Sequence, residues 1–126
     1  MLAAIGFVMA TMPQVSANGI SETARLEFLT SLGYGVEPGS GTMEKVCLPE
    51  PFDAVFEAYN ELQKQAGYNL APYSGRVVER WSYPLKDGNA EAATLHLLVC
   101  EGCIVGGDIE ANVAGGYLYA LTDKTK

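Results

Sequence analysis

The chain predicts an α+β fold, a mostly antiparallel sheet of four or five strands with two main helices packed on one face. Three observations carry this. An apolar stripe at helical spacing runs through residues 51–66. A two-residue turn, Glu101-Gly102, separates two strand-like segments. The elements follow the order helix, strands, helix, then a meander of three strands. With 126 residues there is material for one ordinary domain and too little for two separate cores. Hydrophobic residues make up 48% and charged residues 18%, which favours a packed core over disorder.

Leu2 to Met12, LAAIGFVMATM, carries no charge. Such a run is short of the ~20 residues that a spanning helix needs and matches the apolar region of a signal peptide. Val15-Ser16-Ala17 follows, with small residues placed as at a cleavage site, although no Lys or Arg precedes Arg25. Residues 1–21 are therefore expected to be the remnant of a signal or anchor segment plus a linker (13–21), and residues 22–126 a single domain. An ordinary apolar first helix is the alternative. Left exposed, the run could also pair two copies into a homodimer.

The first helix is expected at 22–32. Ser21 is a good N-cap, Glu22 suits the positive helix end, and Leu26, Phe28, Leu29 and Leu32 form an apolar stripe ended by Gly33. Tyr34–Val36 reads as a short strand, 38–42 as a turn, and Met43–Leu48 as a strand stopped by Pro49. In the second helix, Phe52, Val55, Phe56, Tyr59 and Leu62 share one face, Pro51 fits the first turn and Gly67 the stop. A loop at 68–75 leads to strands at Arg76–Leu85, Ala93–Cys100 and Ile104–Ile109, with a turn at 86–89. Residues 111–121 read as irregular.

Fifteen acidic and eight basic residues give a net charge of −7. An acidic surface repels phosphate backbones, and Arg76 and Arg80, the densest basic pair, enclose Glu79. Nucleic acid is therefore excluded as a partner.

The stretches RLEFLTSLGYGVEP (25–38), LPEPFDAVFEAYNELQKQAGYNLAPYSGRVVERWSYPL (48–85) and LLVCEGCIVGGDI (97–109) resemble the bacterial family catalogued as domain of unknown function 4830. The resemblance implies a small extracytoplasmic domain behind an N-terminal membrane or signal segment, and it supplies no activity. Where such proteins usually carry a Y-D-G-K-like hairpin tip, this chain has Cys100-Glu101-Gly102-Cys103.

Candidate chemistry is sparse. Cys100 and Cys103 flank the turn with Cα atoms expected ~5.5 Å apart, within disulfide range. Structural cysteines, reduced or bonded, are the first reading. A metal site that adds His96 or Cys47 comes second, and redox catalysis a distant third, because no βαβ context lowers a thiol pKa. Cys47 reads as a small buried hydrophobe. His96 is the only histidine, on a strand face with Thr94, Leu98 and Cys100. No nucleophile elbow accompanies it. Gly106-Gly107-Asp108 lacks phosphate-loop spacing and reads as a bulge or sheet edge. Tyr68, Tyr73, Arg76, Arg80 and Trp81 could line a ligand groove. The competing reading puts Trp81 and Tyr83 in the core and pairs the arginines with carboxylates.

These features point to a non-enzymatic extracytoplasmic domain, secreted or membrane-anchored, that serves as an interaction or accessory module for a protein partner at the cell envelope. No cofactor is called for. A small-ligand or metal-binding protein using the Cys100/Cys103 tip is the first alternative, and an enzyme of unknown class the second.

Overall fold

A computed structural model describes residues 17–87, 90–113 and 117–121. The apolar run Leu2–Met12, most of the small-residue motif before Ala17 and the tip of the 86–89 turn lie outside them. The described elements are β1 (Ala17–Asn18), α1 (Glu22–Ser31), β2 (Thr42–Cys47), α2 (Ala54–Gln65), a 3₁₀ turn (Ala71–Tyr73), β3 (Val77–Asp87), β4 (Ala90–Cys100), β5 (Cys103–Ala111) and β6 (Leu118–Tyr119). The strands form one sheet in the order β1-β5-β4-β3-β2, with β6 also on β5, and every pairing is antiparallel. The predicted α+β class is the observed one.

Several local expectations are met for the physical reasons given. The Ser21 hydroxyl accepts the Ala24 N–H at 3.1 Å and starts α1. Glu101 (φ 51°) and Gly102 (φ 81°) both adopt left-handed backbone, the twist a two-residue hairpin needs, and they set Cys100 opposite Cys103.

Four expectations are corrected. Tyr34–Val36 is irregular, not a strand; the Tyr34 hydroxyl instead donates to the Leu121 carbonyl and ties this segment to the far end of the chain. Pro51 lies outside α2, whose first turn is capped by the Asp53 carboxylate accepting the Phe56 N–H at 2.8 Å. The end of the expected linker belongs to the sheet: Ala17 and Asn18 pair with Ile104 and Cys103.

The fourth concerns the helices, which do not share a face. Leu95, Leu97 and Val99 of β4 pack with Leu29 of α1, whereas Leu98 and Cys100 pack with Phe56 and Tyr59 of α2. Alternate residues of a strand point to opposite faces, so α1 and α2 cover opposite sides of the sheet. The reason is visible along β4, where LHLLVC is apolar on both faces and each must be covered.

A bulge controls the register that matters most. Val99 pairs with Ile104, but Leu98 pairs with Gly106, so Val105 is an extra residue in β5. Beyond it His96 faces Asp108. In the unbulged hairpin His96 would face Gly107 and Asp108 would lie on the α1 side.

Candidate functional site

On the α2 side of the sheet the polar residues gather into one network. His96 and Asp108, 4% and 3% exposed, sit side by side on β4 and β5. The imidazole Nδ1 lies 2.8 Å from Asp108 Oδ1, and Nε2 lies 3.1 Å from Arg80 Nη2. A guanidinium can only donate, so Nε2 accepts and Nδ1–H donates to the carboxylate. The other Asp108 oxygen accepts the Tyr59 hydroxyl at 2.5 Å. Arg80 Nη1 extends the chain outward to Glu44 at 2.9 Å. Glu110, half exposed, comes no closer to His96 Nε2 than 3.9 Å.

Burial raises the Tyr59 pKa above the ordinary tyrosine value, and the neighbouring Asp108 charge raises it further. Burial alone raises Tyr68. Each folded-state pKa thus exceeds its unfolded value near 10. Their stabilisation is complete below about pH 10 and is lost above it, for Tyr59 at up to about 1.4 kcal/mol per pH unit, with Tyr68 adding in the same direction. Denaturant melts between pH 9 and 11.5 are expected to show this slope, and Tyr59→Phe should remove its share. An unchanged slope would mean that Tyr59 ionises freely in the native state.

Above the network lies a groove of about 720 Å³ between α2 and the sheet. Its walls are largely apolar: Val55, Phe56 and Leu62 from α2, Val46 from β2, Leu98 from β4 and Leu118 from β6. Arg80, Tyr59, Asp108 and Glu110 supply its polar end. α2 buries its apolar stripe only in part: Phe56 and Tyr59 pack against the sheet, whereas Val55 does not. Its buried residues are Asn60 and Gln63. The Asn60 amide oxygen accepts the Leu70 N–H at 2.7 Å, and Gln63 Oε1 accepts the Gly107 N–H at 2.9 Å. Gly107 lies between the stretches of β5 paired by β1 and β6, so Gln63 covers a gap in the sheet edge. Gly106 makes this approach fit: a Cβ there would meet Gln63 Oε1 at 2.8 Å. With these polar anchors setting its rotation, the helix leaves Val55 79% exposed on the groove wall.

A family model described as Domain of unknown function (DUF4830) matches residues 28–109. The chain belongs to this family. No curated protein and no solved structure matches it. The DUF4830 match takes in Tyr59, Arg80, His96 and Asp108, the whole buried network, while Arg25, Glu110 and β6 fall just beyond its ends.

The residues singled out from the sequence are dispersed over the DUF4830 fold. Arg80 and Trp81 are neighbours on β3 and point to opposite faces. Trp81 lies on the α1 side under the Arg25 guanidinium, 3.6 Å from the ring centroid. Arg76 pairs with Glu101 at 2.7 Å and stands 5.8 Å from the Tyr73 ring. Tyr68 packs against the α1-side core. These five side chains do not line one groove; of them, only Arg80 reaches the groove described above. Cys100 and Cys103 are free thiols packed against the α2-side core, and Cys47 is exposed, not buried as expected. His96 stands four residues along β4 from Cys100, ~13 Å at strand rise. The geometry therefore does not gather these groups around one ion. Among the described residues no three His, Cys, Asp or Glu side chains are placed to share a metal.

A histidine oriented through Nδ1 by a carboxylate forms half of a general-base arrangement. The other half is closed here, because Nε2 already accepts from Arg80. The network is built to hold strands, helix and groove floor together.

Tyr59, Asp108 and Glu110 escaped the sequence reading. Asp108 stands in the sequence as the end of Gly106-Gly107-Asp108. Its meeting with His96 depends on the bulge at Val105. In the sequence Tyr59 is one more member of an apolar stripe.

Proposed function

We propose that this DUF4830 chain is a non-enzymatic binding module of the cell envelope that engages a partner protein through the groove between α2 and the sheet. One observation carries the reading: a groove of about 720 Å³ with apolar walls over a hydrogen-bonded polar floor. That volume falls within the range of ordinary ligand sites. The location rests on the uncharged run Leu2–Met12, which has the length of a signal-peptide apolar region. Among the described residues no helix is long and apolar enough to cross a membrane.

The groove is tested with the neutral apolar dye Nile red. Saturable binding of one dye per chain is expected. Val55→Glu, which alters an exposed wall residue and spares the core, should weaken it about tenfold with an unchanged melting curve. Dye binding indifferent to this substitution would remove the groove as the site. The location is tested by fusing alkaline phosphatase behind the chain. An inactive fusion would place the domain inside the cell.

A further inference from the structure

The polar end of the groove is not neutral. Two lining carboxylates, Asp108 and Glu110, stand against one lining guanidinium, Arg80, which is also bonded to Glu44 outside the groove. Arg80 is shared between Glu44 and His96. Asp108 is held by His96 and Tyr59. Glu110 differs from both. Its side chain is 47% exposed, it lines the groove, and no Lys or Arg among the described side chains comes within 4.0 Å of it. Glu110 is also the strand partner of Leu118, an apolar wall residue, so charge and apolar surface are adjacent.

Resting on the groove reading above, we propose that the groove takes an apolar peptide segment of a partner protein that carries one Lys or Arg, with the cationic head at Glu110 and the apolar side chains between α2 and β6. Charge complementarity sets the sign of the ligand. An anion would meet uncompensated carboxylate, whereas an ammonium or guanidinium gains a partner at the groove end. The openness of the walls sets its class. Small-molecule sites enclose most of their ligand. Here Val55 and Leu118, 79% and 47% exposed, leave the groove open along its length, as helix-lined and strand-lined peptide grooves are.

The test uses blocked tetrapeptides, Leu-Ala-Leu-Lys, Leu-Ala-Leu-Gln and Leu-Ala-Leu-Glu, and n-octylammonium as a non-peptide cation. Each is titrated into isotopically labelled protein and followed by amide shifts at Val55, Leu62, Leu98 and Leu118. The expected result is binding of the lysine peptide about tenfold tighter than the glutamate peptide, with the glutamine peptide between. Glu110→Gln should bring the three to within about threefold. Equal binding of all three peptides at these residues would overturn the charge selection and leave the groove standing. Octylammonium binding without any peptide binding would overturn the peptide assignment. If neither the probes nor Nile red bind, the groove reading itself falls.

Discussion

Asp108→Ala is expected to lower the stability of the domain by about 2–5 kcal/mol. The substitution removes the acceptor of two donors, Tyr59 O–H and His96 Nδ1–H, and leaves both without their partner. An orphaned buried donor costs about 1–3 kcal/mol. Asp108→Asn keeps the volume and one acceptor oxygen, so its loss should be smaller. Combining Asp108→Ala with Tyr59→Phe removes one orphan, so the double variant should lose less than the sum of the singles. Urea unfolding followed by circular dichroism gives all four values. A loss under about 0.5 kcal/mol for Asp108→Ala would show that the network is not the brace described here.

The second large effect lies on the other face. Arg25→Ala should destabilise the domain by about 3 kcal/mol. Arg25 is 4% exposed. Its Nε donates to the Tyr83 hydroxyl at 2.8 Å, and Nη1 donates to the Gly19 carbonyl at 2.9 Å and the Ile20 carbonyl at 3.1 Å. The guanidinium lies over Trp81, the chain's one tryptophan. Removal takes the donor from the Tyr83 hydroxyl and the Gly19 carbonyl and the cation from the Trp81 ring, with bonds to charged groups contributing about 1.5–3 kcal/mol. Arg25→Lys should recover little, because an ammonium cannot make the planar fork that stacks and donates together. Tryptophan fluorescence in the native state reports the lost stack independently of the unfolding midpoint. An unchanged spectrum and midpoint in Arg25→Ala would refute the clamp.

Arg25 also explains why Gly19 and Ile20 belong to the folded unit. It holds the carbonyls of Gly19 and Ile20, residues that read as linker because Asn, Gly and Ser crowd the sequence there. Gly19 is buried, and a Cβ on it would meet Val99 Cγ2 at 2.9 Å. Composition reports how a segment behaves alone and cannot show a buried arginine on the next helix reaching back to fix it.

Local chemistry determined much of this protein. The Ser21 cap, the Glu101-Gly102 turn and the strands on either side of it depend on residues a few positions apart, and so were legible in the sequence. So was the α+β class, because periodicities and element order follow from the chain itself. Three matters were decided only by tertiary structure. The placement of the helices on opposite faces came from β4, apolar on both sides, which makes single-sided cover unstable. The orientation of α2 is fixed by Asn60 and Gln63, which bond the backbone of Leu70 and Gly107 while Phe56 and Tyr59 pack on the sheet and Val55 is left exposed on the groove wall. The site itself came from one extra residue, Val105, in β5. That bulge moves Asp108 across the sheet to His96 and Tyr59, because side chains alternate between faces and a shift of one position reverses them.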